Sequence, residues 1–315
     1  MILKIKLQTL IKIYLFIYPI LLFPLEEWMY IYHPTLKDPY ILKQIEKYDI
    51  LCFTGYKIDA QGNMLKFIDI ENIEYKLKNK KVFPLISLRN TKEGKILLRN
   101  LSNRKNAINN ILNLIQKDIF KGINIDFEYL TKEDAPNFKD FLKELQIYLH
   151  QLNKTLTVAI FPPIWEMPYN EFHDLSLLHP YIDEIVLMTY DQHNPRTKPG
   201  PIAEYNWVEK NIKETLKYFK SSQVFLGIPL YGYEWELKTN HYKIVDNSYF
   251  LKILKRNNFI QKESSVLYGT KIQYSDKNGL KILYYPDPNF RELLKQLALT
   301  YQLKGIAYWR AGFEK

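Results

Sequence analysis

The chain has 315 residues, 47% of them hydrophobic and 15% aromatic, which is enough apolar content to bury a large core and to exclude intrinsic disorder. Its formal net charge of +10 comes mostly from lysines scattered along the whole length; no single element carries a basic stripe interleaved with aromatics, so nucleic acid is not an expected partner. The single cysteine, Cys52, excludes an internal disulfide.

At the N-terminus, Lys4, Lys6 and Lys12 precede the uncharged stretch IYLFIYPILLFPL at positions 13–25. This pattern is that of a signal peptide or a short membrane anchor, with a buried N-terminal helix as the alternative. The run has 13 residues against roughly 20 for a spanning helix, Pro19 interrupts it, and no small-x-small cleavage site follows. Residues 1–25 are therefore set apart from 26–315, within which no Pro-, Gly- or Ser-rich linker marks a further boundary.

Eight short strand-like runs follow in order. They are EWMYIYH from Glu27, DILCFTGY from Asp49, KVFPLISL from Lys81, GINIDFEYL from Gly122, TLTVAIFPP from Thr155, EIVLMTYD from Glu184, QVFLGIPLYGY from Gln223 and KGIAYW from Lys304. Segments of helical period separate them: Arg104 to Lys117, with apolar positions at Ala107, Ile111, Leu114 and Ile115, and Phe138 to Leu152 with similar spacing. Strand and helix alternating in this way predict a parallel (β/α)₈ barrel. A doubly wound open sheet is the alternative, but no G-x-G-x-x-G follows the first strand. Between the seventh and eighth strands, residues 238–287 break the rhythm with a helical piece near SYFLKILKRNN and a hairpin signal at Asn278-Gly279, predicting a small α+β insertion beside the barrel mouth. Only six residues follow Trp309, too few for a full eighth helix.

The fourth strand raises a chemical question, because two acids interrupt an apolar run. Strand alternation points Asn124, Asp126 and Glu128 one way and Ile123, Ile125 and Phe127 the other. If the apolar set meets the outer helices, the polar set climbs the barrel interior to the C-terminal rim, where barrels of this type hold their catalytic groups. Two carboxyls at such spacing do not easily both ionise, so one proton tends to be retained; if Glu128, the uppermost, holds or shares it, that group is poised as a general acid. Charged, solvated residues at a strand end are the bland alternative. The six histidines show no ligand spacing such as H-E-x-x-H and no G-x-S-x-G elbow occurs, so neither a metal nor a serine nucleophile is expected. Cys52 reads as a buried apolar residue.

KGINIDFE at 121–128 resembles the D-G-x-D-x-D-x-E motif of glycoside hydrolase family 18. LMTYDQH from Leu187 is similar to that family's M-x-Y-D, GIPLYGYEW from Gly227 to its G-x-P-x-Y-G-x-x-W, and GIAYW ends on a matching tryptophan, Trp309. The chain departs from the pattern at Lys121, which should point outward, and at Asn124, each standing where the family usually has Asp. In detail the motifs look closest to the bacterial peptidoglycan-active, spore-germination and cortex-lytic N-acetylglucosaminidases.

The resemblance implies a retaining hydrolase in which the substrate's own acetamido group attacks the anomeric carbon. It assigns Glu128 as acid/base, Asp126 as the group that orients the acetamide and stabilises the oxazolinium, and Tyr190 as donor to the acetamido oxygen. It implies sugar contacts from Asn124, Asp191 and Trp309. Tyr231 and Trp235 either line the cleft or brace the insertion. Gly227 and Gly232 are expected to permit close backbone packing. The expected substrate is peptidoglycan containing N-acetylglucosamine, with chitin oligosaccharides or a non-catalytic sugar-binding role as alternatives. No cofactor is expected. The expected state is a monomer, secreted or anchored in the cell envelope through the leader.

Overall fold

The computed structural model describes residues 24–315 apart from Pro168, Asn240 and Asn257, so the leader expected at 1–25 lies almost wholly outside the described residues. In chain order the elements begin with β1 (Glu26–Ile31), α1 (Pro39–Lys47), β2 (Ile50–Ile58), β3 (Met64–Lys66), α2 (Glu74–Leu77) and β4 (Lys81–Leu88). They continue with α3 (Thr91–Arg99), α4 (Leu101–Ile115), β5 (Gly122–Asp126), α5 (Ala135–Gln151), β6 (Thr155–Ile160), α6 (Leu175–Leu178), β7 (Glu184–Leu187), α7 (Tyr205–Thr215) and β8 (Val224–Pro229). An inserted unit of β9 (Gly232–Glu236), β10 (His241–Val245), α8 (Asn247–Leu254), β11 (Phe259–Ser265), β12 (Gly269–Asp276) and β13 (Gly279–Tyr285) then precedes α9 (Pro288–Thr300) and β14 (Gly305–Trp309).

All eight expected strands form, and they close into a parallel barrel in the order β1-β14-β8-β7-β6-β5-β4-β2, with β1 also paired to β2. Closure needs no eighth outer helix: β1 meets β14 from Glu26↔Gly305 to Met29↔Tyr308 and β2 from Trp28↔Ile50 to Ile31↔Phe53. Backbone ladders on both flanks of β1 satisfy its polar groups. The two expected helices appear as α4 and α5, each starting three residues earlier than the apolar spacing indicates. Capping sets those starts. The Asn100 side chain accepts from Asn103 N at 3.1 Å, and the reciprocal Thr131/Asp134 box leads into α5 with proline in its first turn.

Two apolar layers follow from the alternation. Ile123, Ile125 and Phe127 belong to the shell between strands and helices, where Phe127 stacks on Phe141 at 5.5 Å and lies 5.8 Å from Phe138. A separate cluster that includes Trp28, Cys52, Phe83, Val186 and Phe225 plugs the barrel interior, with Trp28 stacked on Phe83 at 4.7 Å. Cys52 is one of its buried members, as an apolar residue would be. Lys121, just before β5, is exposed.

The insertion is a five-stranded antiparallel sheet, β10-β9-β13-β12-β11, with α8 against it. Its first strand begins at Gly232, so the run QVFLGIPLYGY breaks after Pro229 into a barrel strand and a strand of the inserted sheet. At the break, the Leu230 amide donates to Trp309 O at 2.8 Å. Gly232 is required there, because a Cβ would lie 2.1 Å from Tyr284 O across the new sheet. In the hairpin the loop is Lys277-Asn278 and Gly279 pairs with Asp276, one position from the turn expected at Asn278-Gly279. Contacts from Asn247 N to Phe313 O (2.8 Å) and from Tyr205 N to Leu267 O (2.8 Å) hold the sheet to the barrel rim. Among the described residues no helix is long and apolar enough to cross a membrane.

Candidate active site

At the C-terminal end of the barrel a cavity of about 200 Å³ opens, lined by Asp126, Glu128, Tyr129, Tyr190, Asp191, Tyr231 and Trp309, with Tyr30, Leu85, Ala159 and Met188 completing its walls. It brings together Asp126 and Glu128 from the end of β5, Tyr190 and Asp191 from the segment after β7, Tyr231 from the link between β8 and β9, and Trp309 from the end of β14. Asn124, expected to touch substrate, does not line it: the residue is fully buried one pleat lower, where Tyr30 Oη donates to its Oδ1 at 3.2 Å. Its place is in the layer that supports the cavity, because the strand carries only its last two inward side chains as high as the opening. Its Nδ2 has no hydrogen-bond partner among the described residues.

Local backbone geometry sets the height of each group. The β5 ladder stops at Asp126, Phe127 anchors in the helical shell, and Tyr129 turns into the left-handed region (φ 58°), so Glu128 stands at the rim. His173, buried, bridges from Phe127 O (3.1 Å to Nε2) to the amide of Phe161 (3.0 Å to Nδ1), tying the end of β5 to that of β6. The amide contact makes Nδ1 the acceptor, which leaves Nε2 as the donor to Phe127 O. After β7 the chain curls, with Tyr190 N on Met188 O at 2.8 Å, and Thr189 Oγ1 donates to Gly227 O at 2.7 Å. Gly227 is glycine for a steric reason: a Cβ would lie 2.7 Å from Leu187 O and 2.9 Å from the Tyr190 ring. Asp191 also turns left-handed, at φ 59°.

Three acids share this confined space. Burial raises Asp126 to about 7. Glu128 is raised well above the usual carboxyl range, first by burial and then by the charges of Asp126 and Asp191, while Arg196 opposes the shift. Asp191 is raised by burial to about 6 against the opposing effect of two hydrogen bonds, from Tyr231 Oη (2.6 Å) and Tyr233 Oη (3.1 Å), both to its Oδ1. The three therefore differ in proton affinity because their surroundings differ: Asp191 has donors that favour its anion, and Glu128 has two acids for neighbours. Asp126 and Glu128 are both raised, so the pair holds a proton to higher pH than free carboxyls do, and Glu128, at the rim, is the one placed to give it to a leaving oxygen.

Tyr233 is a residue the sequence motifs did not single out. In Tyr233→Phe, Asp191 loses one donor to its charged form, so its pKa should rise by on the order of one unit. A carboxyl-carbon NMR titration reads this directly; an unchanged Asp191 midpoint would show that the contact does not bear on the charge.

Trp309 is held from below by Tyr30, the rings meeting edge-on at 5.1 Å, so that its indole forms part of the cavity wall. Tyr231 does both things left open for it, lining the cavity and hydrogen-bonding Asp191, whereas Trp235 is buried against Tyr233 in the insertion. Tyr30, Leu85 and Ala159 are the inward residues of their strands. The alternation used for Asn124 and Asp126 would have identified them. Among the described residues no group of three or more His, Cys, Asp or Glu side chains has a geometry that could hold a metal ion.

The model of Glycosyl hydrolases family 18 matches residues 28–314. Uncharacterized glycosylase YvbX of Bacillus subtilis (strain 168) is 25% identical over 280 residues, covering 82% of this chain and 79% of that protein. The Cortical fragment-lytic enzyme of the same organism is 24% identical over 227 residues, 70% of this chain and 53% of its own length, so the chain matches about half of that protein. The crystal structure of chitinase from Chromobacterium violaceum ATCC 12472 is similar in fold, with a TM-score of 0.83 at 20% identity over 93% of this chain and 96% of that one.

Proposed function

The chain belongs to glycosyl hydrolases family 18, and from that premise we propose that it cleaves β-1,4 bonds at N-acetylglucosamine in peptidoglycan, with retention of configuration. The observation that carries the reading is the convergence of Asp126, Glu128, Tyr190 and Asp191 on one cavity walled by Trp309, with the carboxyls of Asp126 and Glu128 both raised by burial.

Each group has a task that its surroundings suit. Glu128 protonates the glycosidic oxygen, and once the aglycone has left, its carboxylate deprotonates the incoming water. In the first step the acetamido carbonyl oxygen of the substrate closes on the anomeric carbon as the glycosidic bond breaks. Asp126 accepts the acetamido N–H, aligns the carbonyl and stabilises the resulting oxazolinium cation. Tyr190, whose pKa is raised by burial and by the neighbouring acids, stays a neutral phenol and donates to the acetamido oxygen. Trp309 offers an indole face to the C–H side of the pyranose. Asp191, charged through its tyrosine donors, keeps negative charge near Glu128 and so favours the protonated acid.

Peptidoglycan is preferred over chitin because the motifs resemble the cortex-lytic branch and a cortical fragment-lytic enzyme is among the relatives. The lysine-preceded apolar leader supports action outside the cytoplasm. Digestion of purified peptidoglycan and of chitin oligomers, with products read by mass spectrometry, tests the proposal. New reducing ends at N-acetylglucosamine are expected from peptidoglycan. Release from chitin alone would move the substrate to chitin oligosaccharides, and binding without turnover of either would make the protein a lectin.

A further inference from the structure

A second cavity, of about 410 Å³, lies between the loop after β7 and the inserted sheet. Residues 195–199 of the loop form one side, including Arg196 and Lys198, and Trp235 and Glu236 of β9 contribute from the sheet. Arg196 connects it to the catalytic cavity. Its guanidinium carbon lies 4.8 Å over the ring of Tyr129, a residue of the catalytic cavity wall, and 5.9 Å from the ring of Tyr169. Those two rings meet edge-on at 5.3 Å, making a corner that holds the guanidinium by cation–π attraction.

The loop beneath Arg196 is tied down. Asn194, buried, accepts from the Arg196 amide at 2.9 Å, and its Nδ2 donates to Asp191 O at 3.1 Å. The Asn194 amide in turn donates to Thr197 Oγ1 at 3.0 Å, and Trp165 Nε1 donates to Asp191 O at 3.2 Å. The position of Arg196 is thus coupled to that of Asp191. Yet among the described residues the guanidinium makes no salt bridge and no hydrogen bond; the one bond of this residue is through its backbone amide. Arg196 and Lys198 are both exposed, so a planar group with five donors, laid on aromatic faces and without a protein acceptor among the described residues, is open to receive a carboxylate. With Lys198 beside it the pocket holds two cations against one acid, Glu236.

We propose that this pocket binds a carboxylate-bearing substituent of the glycan, with Arg196 as the anion receptor that makes the enzyme prefer acidic glycan over neutral. The inference rests on the reading of the catalytic cavity above and deepens it by assigning the choice of substrate to a residue outside the catalytic group. In peptidoglycan the carboxylate can come from the lactyl group of a peptide-free muramic acid or from the peptide attached to it, and the recognition chemistry is the same.

The test compares the full chain with Arg196→Gln and Arg196→Lys on three substrates: peptide-bearing glycan, glycan stripped of peptide so that lactyl carboxylates are free, and a chito-oligosaccharide without carboxylates. For Arg196→Gln, loss of a charge-assisted pair should raise KM on acidic glycan about 10- to 100-fold, whereas any change in kcat from the lost charge near Glu128 should be the same on all three substrates. Arg196→Lys should recover part of the loss, because it keeps the charge but not the fork. KM on the chito-oligosaccharide should stay within about twofold, since no ion pair is made there. A penalty on stripped glycan identifies the lactyl carboxylate, and a penalty on peptide-bearing glycan alone identifies the peptide; both support the proposal. Equal KM penalties on all three substrates, or none on the acidic ones, overturn it. If wild type turns over none of the three, the hydrolase reading fails, and the same comparison made as equilibrium binding of fluorescently labelled glycans still decides whether Arg196 reads the carboxylate.

Discussion

Glu128→Gln is expected to lower turnover of glycan containing N-acetylglucosamine by about 10³-fold while leaving substrate binding nearly intact, the size expected when a positioned general acid is removed. Glutamine keeps the volume and polarity of the side chain, so the cavity should retain its shape, but the amide has no proton to give at the leaving oxygen. The change should not unfold the protein, since Glu128 occupies the cavity wall rather than either apolar cluster. Single-turnover kinetics together with a binding titration separate the two effects. A kcat within tenfold of wild type, with binding unchanged, would remove Glu128 from the acid role and with it the mechanism proposed here.

Asp126→Asn should cost about 10²- to 10³-fold in kcat, because the amide cannot supply the negative charge that stabilises the oxazolinium. The same substitution has an opposite effect on stability, and the sign follows from the raised pKa of Asp126. A carboxyl at about 7 in the folded protein binds its proton more tightly than in the unfolded chain, where its pKa is about 4. Its contribution is fully present below about pH 4 and is lost as the pH rises toward 7, where the folded protein must hold a desolvated anion. Asp126→Asn should therefore match wild type near pH 4 and exceed it at pH 8, by on the order of 2 kcal/mol, since Asp126 and Glu128 interact and share the proton uptake. Urea unfolding at the two pH values reads the difference. A variant less stable than wild type at pH 8 would mean that the buried anion is better compensated than its surroundings indicate. A residue kept for catalysis at a cost in stability is a common feature of active sites.

Part of the fold and of the site is legible in the sequence alone. The eight strands are short, apolar and separated by segments of helical period, and the two-residue repeat of β5 assigns Asp126 and Glu128 to one face whatever the rest of the chain does. The motifs after β7 and at the ends of β8 and β14 named Tyr190, Asp191, Tyr231 and Trp309, and these share one cavity with the two acids. The same repeat overreached at Asn124, which faces inward but lies one layer too deep to line the opening. Depth depends on where the ladder ends and how far the lower aromatics fill the barrel, and neither is a property of one strand.

Other features depended on partners distant in sequence. Tyr233 could be placed against Asp191 only once the run after β8 was seen to leave the barrel and join the inserted sheet, a step set by the pairing of β9 with β13. Barrel closure rests on β1 meeting β14, a contact between strands far apart in the chain. Arg196 sits in an unremarkable loop sequence, and its meaning comes from the Tyr129 and Tyr169 rings that meet beneath it. The sequence by itself determined which side chains share a face, because covalent geometry enforces that alternation locally. Only the tertiary structure decided how deep each one lies, which proton it keeps and what stands opposite it, because desolvation and charge act through space between elements that the chain order keeps far apart.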